Sequence, residues 1–70
     1  MIKSVRISKG LSQSQLSKIT GISQSYISKL EKPYFVHSPT ITQIISISKA
    51  LDIDPIILAR YFIIKELNKY

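Results

Sequence analysis

The chain contains no cysteine, no tryptophan, one histidine, two glycines and four acidic residues among 70. Each scarcity removes a class of protein. Without cysteine there is neither a disulfide framework nor a thiolate metal site, and nothing points to an oxidising compartment, so a cytoplasmic address is expected. His37 has no partner ligands in sequence, the carboxylates are isolated or close to helix ends, and there is no glycine-rich phosphate loop. No enzyme, no metal site and no cofactor is therefore expected. Long hydrophobic runs are missing too. The most apolar stretch, Pro55 to Ile64, is half the ~20 residues of a membrane span and carries Arg60, and the first residues lack the apolar core of a signal peptide. A membrane partner is not expected.

Hydrophobic residues make up 44% and charged residues 20%, which is too apolar for a disordered tail and sufficient for one small core. A single domain over 1–70 is the expectation. Ten basic residues give a net charge of +6, and they are unevenly placed. Residues 1–33 hold Lys3, Arg6, Lys9, Lys18, Lys29 and Lys32 against Glu31 alone; residues 34–70 set Lys49, Arg60, Lys65 and Lys69 against Asp52, Asp54 and Glu66. A localised cationic surface gains most by displacing counterions from nucleic acid. Charge alone leaves a membrane surface or plain solubility as alternatives.

Punctuation divides the chain into five helices. The first runs from about Ile2 to Lys9 and closes at Gly10; Ser12 caps a second, Gln13 to Thr20, which closes at Gly21. Ser23 caps a third, Gln24 to about Glu31, stopped before Pro33. Ser38-Pro39 or Thr40 opens a fourth, to Leu51, and Asp54-Pro55 opens a fifth that reaches toward Asn68. In the fourth, Ile41, Ile44, Ile45, Ile47 and Leu51 fall within one arc, which predicts one buried face; a strand over Ile44 to Ile47 is the local rival.

The third helix divides most sharply. With Gln24 as origin and about 100° per residue, Ser28, Ser25 and Lys29 lie near 40°, 100° and 140°, whereas Ile27 and Leu30 lie near 300° and 240°. Its polar side carries short hydrogen-bonding groups in place of the Glu and Lys pairs of an ordinary solvated helix.

From Gly10 to Glu31, with Gln13, Leu16, Gly21, Ile22, Ile27, Leu30 and Glu31 at matching spacing, the sequence resembles the helix-turn-helix of the Cro and phage-repressor (XRE-like) family. The likeness continues through Ser38-Pro39 and Ile41 to Ile53, and so covers most of residues 2–58. It implies an all-α, compact five-helix phage-repressor-like domain, core 2–58, whose second and third helices form the helix-turn-helix. Residues 55–69 form a C-terminal helix. Leu16, Ile22, Ile27 and Leu30 would close a small core, and Ser17 stands where the family usually has alanine.

The resemblance further implies that the third helix enters the major groove of double-stranded DNA. Gln24 is the leading base reader, since an amide matches adenine N6 and N7; Ser25, Ser28 and Lys29 are the other base contacts, Lys29 toward guanine or phosphate. Ser12, Gln13, Ser23, Tyr26 and Lys32 are expected at the DNA backbone, with packing or a thymine methyl as alternatives for Tyr26 and a plain cap for Ser12. Arg6 and Glu31 match a pair that bridges the first helix to the end of the third, a structural ion pair. One departure is the loop Lys32-Pro33-Tyr34-Phe35-Val36-His37, where the family commonly has Gly and basic residues. Its Tyr34, Phe35 and Val36 could tuck into the core, line a dimer contact or lie against sugar.

The fifth helix is apolar nearly all round, more than one small core absorbs. Its expected second partner is another copy of the chain, contacted through Ile57, Tyr61, Phe62 and Ile64; coverage by the other four helices is the alternative. The functional expectation is a sequence-specific transcriptional regulator, a dimeric repressor. The rival is an antitoxin-like or accessory protein-interaction module on the same scaffold, whose C-terminal helix binds a different protein.

Overall fold

In the computed structural model, which describes residues 1–34 and 37–69, the elements are α1 (Ile2–Ser8), α2 (Gln13–Thr20), α3 (Gln24–Leu30), α4 (Ile41–Leu51) and α5 (Pro55–Leu67), with no strand among the described residues. Phe35 and Val36 lie outside the described residues. The rival strand over Ile44 to Ile47 is thereby corrected to the middle of α4. No described helix is long and apolar enough to cross a membrane.

Short oxygen-bearing side chains start α2 to α5, whereas α1 begins at Met1 without a side-chain cap. The Ser12 hydroxyl accepts from the Gln15 N–H at 3.0 Å while the Gln15 side chain accepts from the Ser12 N–H at 2.8 Å, and Thr40 and Gln43 repeat the exchange at 3.1 and 2.9 Å. Each reciprocal pair satisfies two N–H groups that a helix start leaves without partners. Thr40 is thus the opening that α4 uses. Ser23 accepts from Tyr26 N–H at 3.2 Å, and the Asp54 carboxylate accepts from Ile56 N–H at 2.8 Å with Pro55 in the first turn.

Left-handed residues end three of them. Gly10, at φ 71°, lets its own N–H reach Ile7 O at 2.9 Å and the Leu11 N–H reach Arg6 O at 3.1 Å, the paired closure of a Schellman motif. Gly21, at φ 74°, closes α2 through its N–H to Ser17 O at 2.8 Å. Asp52 ends α4 at φ 55°, a geometry that costs a residue with a Cβ about 1–2 kcal/mol.

α4 occupies the centre, packed on α1, α2 and α5, while α3 leans on α2. The core joins Ile2 of α1, Leu16 of α2, Ile22 of the turn, Ile27 and Leu30 of α3, Ile44, Ile47 and Leu51 of α4, and Leu58 and Phe62 of α5. The single buried face expected for α4 is narrower than its apolar arc. Ile44, Ile47, Ser48 and Leu51 are buried, whereas Ile41 is 76% exposed and Ile45 lies outside the core. The buried strip is centred on the Ile44 side, and Ser48 enters it at no polar cost because its hydroxyl donates to Ile44 O at 2.7 Å.

α5 carries two apolar stripes. Leu58 and Phe62 face the core, so the assignment of Phe62 to a partner surface is corrected: its ring is 4% exposed and part of the domain's own packing. Tyr61 is half-buried, edge-on to Phe62 with centroids 5.1 Å apart. Taking Ile56 as 0°, Ile63, Leu67, Ile64 and Ile57 fall within about 60° either side of its outer flank, with Arg60 among them. All five apolar members of that flank are exposed.

Candidate nucleic-acid interface

The α2–turn–α3 unit is braced by polar atoms as well as by its core. The Ser17 hydroxyl donates to Ile22 O at 2.5 Å, and Thr20 donates to Leu16 O at 2.8 Å while accepting from Ile22 N–H at 3.2 Å. Ser17 is therefore more than a tolerated replacement for alanine. It crosses the turn and satisfies the carbonyl of buried Ile22. Open space surrounds the Cα of Gly21, so its positive φ, not crowding, is what asks for glycine there.

This unit holds up one polar face. Gln24, Ser25 and Lys29 are exposed, Ser28 is half-buried, and none of their side chains makes a hydrogen bond or ion pair with a described residue. Ile27 and Leu30, on the other side of α3, are 1% and 2% exposed. The helix thus presents an amide, two hydroxyls and an ammonium whose hydrogen-bonding capacity is unspent.

Behind that face lies a charged knot. Arg6 Nε and Nη2 donate to the two Glu31 oxygens at 2.7 and 3.0 Å, and Nη1 donates to Leu11 O at 2.7 Å. The side chains are 10% and 4% exposed. Gln13 completes it by donating from Nε2 to Glu31 Oε1 at 3.0 Å. Burial pushes the Glu31 carboxyl up, but the hydrogen bonds from Arg6 and Gln13 and the charges of Arg6 and Lys3 outweigh it and hold the group below its ordinary 4.5. The hydrogen bond to Glu31 raises Arg6 in turn, against its own desolvation. The knot ties the last turn of α1, the start of α2 and the end of α3 into one body.

The residues expected at the DNA backbone differ in how far their polar groups are already committed. Ser12 and Ser23 are exposed and both act as caps, as described above. Lys32 is exposed just beyond α3, and its carbonyl accepts from Lys65 Nζ at 3.4 Å. Gln13 is half-buried, with one amide hydrogen committed to Glu31. Tyr26 is half-buried against the core and donates its phenolic proton to His37 O at 2.6 Å, while burial pushes its pKa up. A phosphate would reach that proton only by displacing the bond. Tyr34 is 60% exposed and does not tuck into the core.

Lys3 was not among the expected contacts. Lys3 lines a polar cleft with Gln13, Ser28, Glu31, Lys32 and Tyr34. Its signal was present in the sequence, since Lys3 and Arg6 stand three apart and share a face of α1. At the other end, the outer stripe of α5 contains Ile57 and Ile64 and also Ile56, Ile63 and Leu67, which sequence reasoning did not single out.

A sequence model described as helix-turn-helix matches residues 2–58. No curated protein and no solved structure matches the chain.

Proposed function

The chain belongs to the Cro and phage-repressor type of helix-turn-helix family, a family of DNA-binding and non-enzymatic domains, and from that premise we propose that this DNA-binding regulator is a dimeric repressor that places α3 in the major groove. The observation that carries this reading is the unspent polar face of α3. Gln24 and Ser25, in its first turn, read base edges, Gln24 by a bidentate amide pair with adenine; Lys29 takes guanine or a phosphate, and Ser28 a base edge. Ser12, Gln13, Ser23 and Lys32 hold the sugar-phosphate backbone and set the register, while Tyr26 packs at the rim. Arg6 and Glu31 contribute by holding α3 at a fixed angle to the body.

The exposed stripe of α5 supports the dimer. Ile56, Ile57, Ile63, Ile64 and Leu67 share one exposed flank of the helix, interrupted by Arg60, and a two-fold pairing through it doubles the contacts to a palindromic site with half-sites about 34 Å apart. Selection of bound duplexes from a random pool tests the proposal. Inverted half-sites bound by two chains are expected, and Gln24→Ala with Ser25→Ala should abolish preference for them while nonspecific binding stays. A selected pool with no shared sequence would overturn sequence-specific reading.

One observation favours a second use of the scaffold, as a protein-interaction module. Beside the stripe, Ile41, Ile44, Ala59, Phe62 and Ile63 line an apolar groove of 520 Å³ between α4 and α5. An adaptor built on that groove shows no specific duplex binding to lose when Gln24 and Ser25 are changed.

A further inference from the structure

The cleft beside α3 has a composition that a base-reading helix does not require. It measures 290 Å³, at the floor of the ~300–1,000 Å³ of small-molecule pockets, and so suits one small group better than a bulky ligand. Lys3 reaches it from α1 and Lys32 from beyond α3, while Gln13, Ser28 and Tyr34 add neutral hydrogen-bonding groups. Glu31 is the one carboxylate in the lining, and Arg6 grips both of its oxygens. Neither Lys3 nor Lys32 gives its ammonium to a hydrogen bond or ion pair with a described residue. Two cationic side chains therefore line a polar hollow whose one carboxylate is gripped by Arg6 and also feels the charge of Lys3.

We propose that this cleft is a seat for a single phosphodiester of the DNA backbone, shared by Lys3 and Lys32. The inference rests on the DNA-binding reading above and extends the footprint from the helix-turn-helix onto α1. Gln13 and Ser28 belong both to the expected interface and to this cleft, so a duplex aligned on α3 brings its backbone alongside. Glu31 occupies one Gln13 amide hydrogen and leaves the second for the phosphate. A monoanionic diester fits two ammonium groups and neutral donors, and association releases the counterion that it had condensed.

The test is the salt dependence of binding to the selected duplex. The wild-type chain gives a linear fall of log K with log salt. Lys3→Ala and Lys32→Ala should each flatten it, and because both hold the same phosphate, the double variant should lose about 0.9 of slope in total, one phosphate's worth. Lys49→Ala, an exposed lysine on α4, serves as the control and keeps the full slope. An unchanged slope for Lys3→Ala, with a lowered melting temperature, would assign Lys3 to steadying Glu31 and overturn the seat. Losses that sum to two phosphates would also overturn it, as two separate contacts. A wild-type chain with no salt-dependent duplex binding removes the DNA-binding reading itself, whereas the preceding outcomes leave that reading intact. In a parallel arm, inorganic phosphate is titrated against the labelled chain. Weak, unsaturated shifts at Lys3 and Lys32 are expected; saturation by free phosphate without any slope change in the variants points to a free-anion site and overturns the backbone assignment.

Discussion

The two ends of this chain solve the problem of a small core in opposite ways. α2 and α3 bury Leu16, Ile27 and Leu30, leave only Ile19 outside, and turn amides, hydroxyls and ammonium groups outward; α5 buries Leu58 and Phe62 and leaves five Ile and Leu side chains outside. In 70 residues the interior has room for one apolar stripe per helix, so a second stripe on α5 is surplus to folding. The polar end leaves unspent hydrogen-bonding groups in water, and the apolar end leaves hydrocarbon there, where its hydration is unfavourable. Separation of the two allows one to change without disturbing the other.

Charging the apolar end should have the largest effect. Ile57→Glu together with Ile64→Glu is expected to leave the monomer folded and to lower apparent affinity for the two-half-site duplex by about 10²–10⁴-fold, with little change on a single half-site. Sedimentation and duplex titration of the same sample check both statements. Phe62→Ala sharpens the contrast from inside α5. It should cost about 3–5 kcal/mol in denaturant unfolding because the ring lies in the core, whereas Ile63→Ala, one residue on and outside it, should stay within about 0.5 kcal/mol for the monomer.

At the polar end, Glu31→Ala strands the Arg6 guanidinium in a part-buried site and is expected to cost about 3–5 kcal/mol. The acid behaviour follows from the same carboxyl. Because its folded pKa lies below the ordinary 4.5, the stability that it contributes is complete above that value and drains as pH falls through the lower, folded one. Glu31→Gln should remove this part of the acid sensitivity, read by thermal melts on either side of pH 4.5. Smaller still, Gln24→Ala should reduce discrimination at one base position by about 1–3 kcal/mol and leave unfolding unchanged. A uniform loss of affinity for every sequence would instead place Gln24 on the backbone.

Element boundaries were the most legible part of the fold. Gly10, Gly21, Ser12, Ser23, Thr40 and the Asp54-Pro55 pair mark them because backbone sterics and unpaired N–H groups act locally. α4 ends at Leu51 as expected, although the left-handed cap that ends it is Asp52 and not a glycine. A wheel orders residues around a helix without saying where the buried strip is centred, which is why Ile41 and Ile45 were placed inside and Phe62 outside. The polar face of α3 could be read because Ile27 and Leu30 define its opposite side. The Gln13 bond to Glu31 and the cleft that Lys3 and Lys32 both line join residues far apart in the chain, and no periodicity encodes them. Ser17 illustrates a further limit: its place where the family usually has alanine could be read from the sequence, while the direction of its hydroxyl decided what it does.

The grip of Arg6 has an evolutionary corollary. One guanidinium supplies three donors at once, two to a carboxylate and one to the Leu11 carbonyl, and a lysine in its place keeps the charge but loses the fork. Neither partner can drift alone, since an orphaned ion in that setting is worse than none. Positions 6 and 31 are consequently yoked in any lineage that retains this architecture, and a neutral exchange at both together is the passable route between charged and uncharged versions.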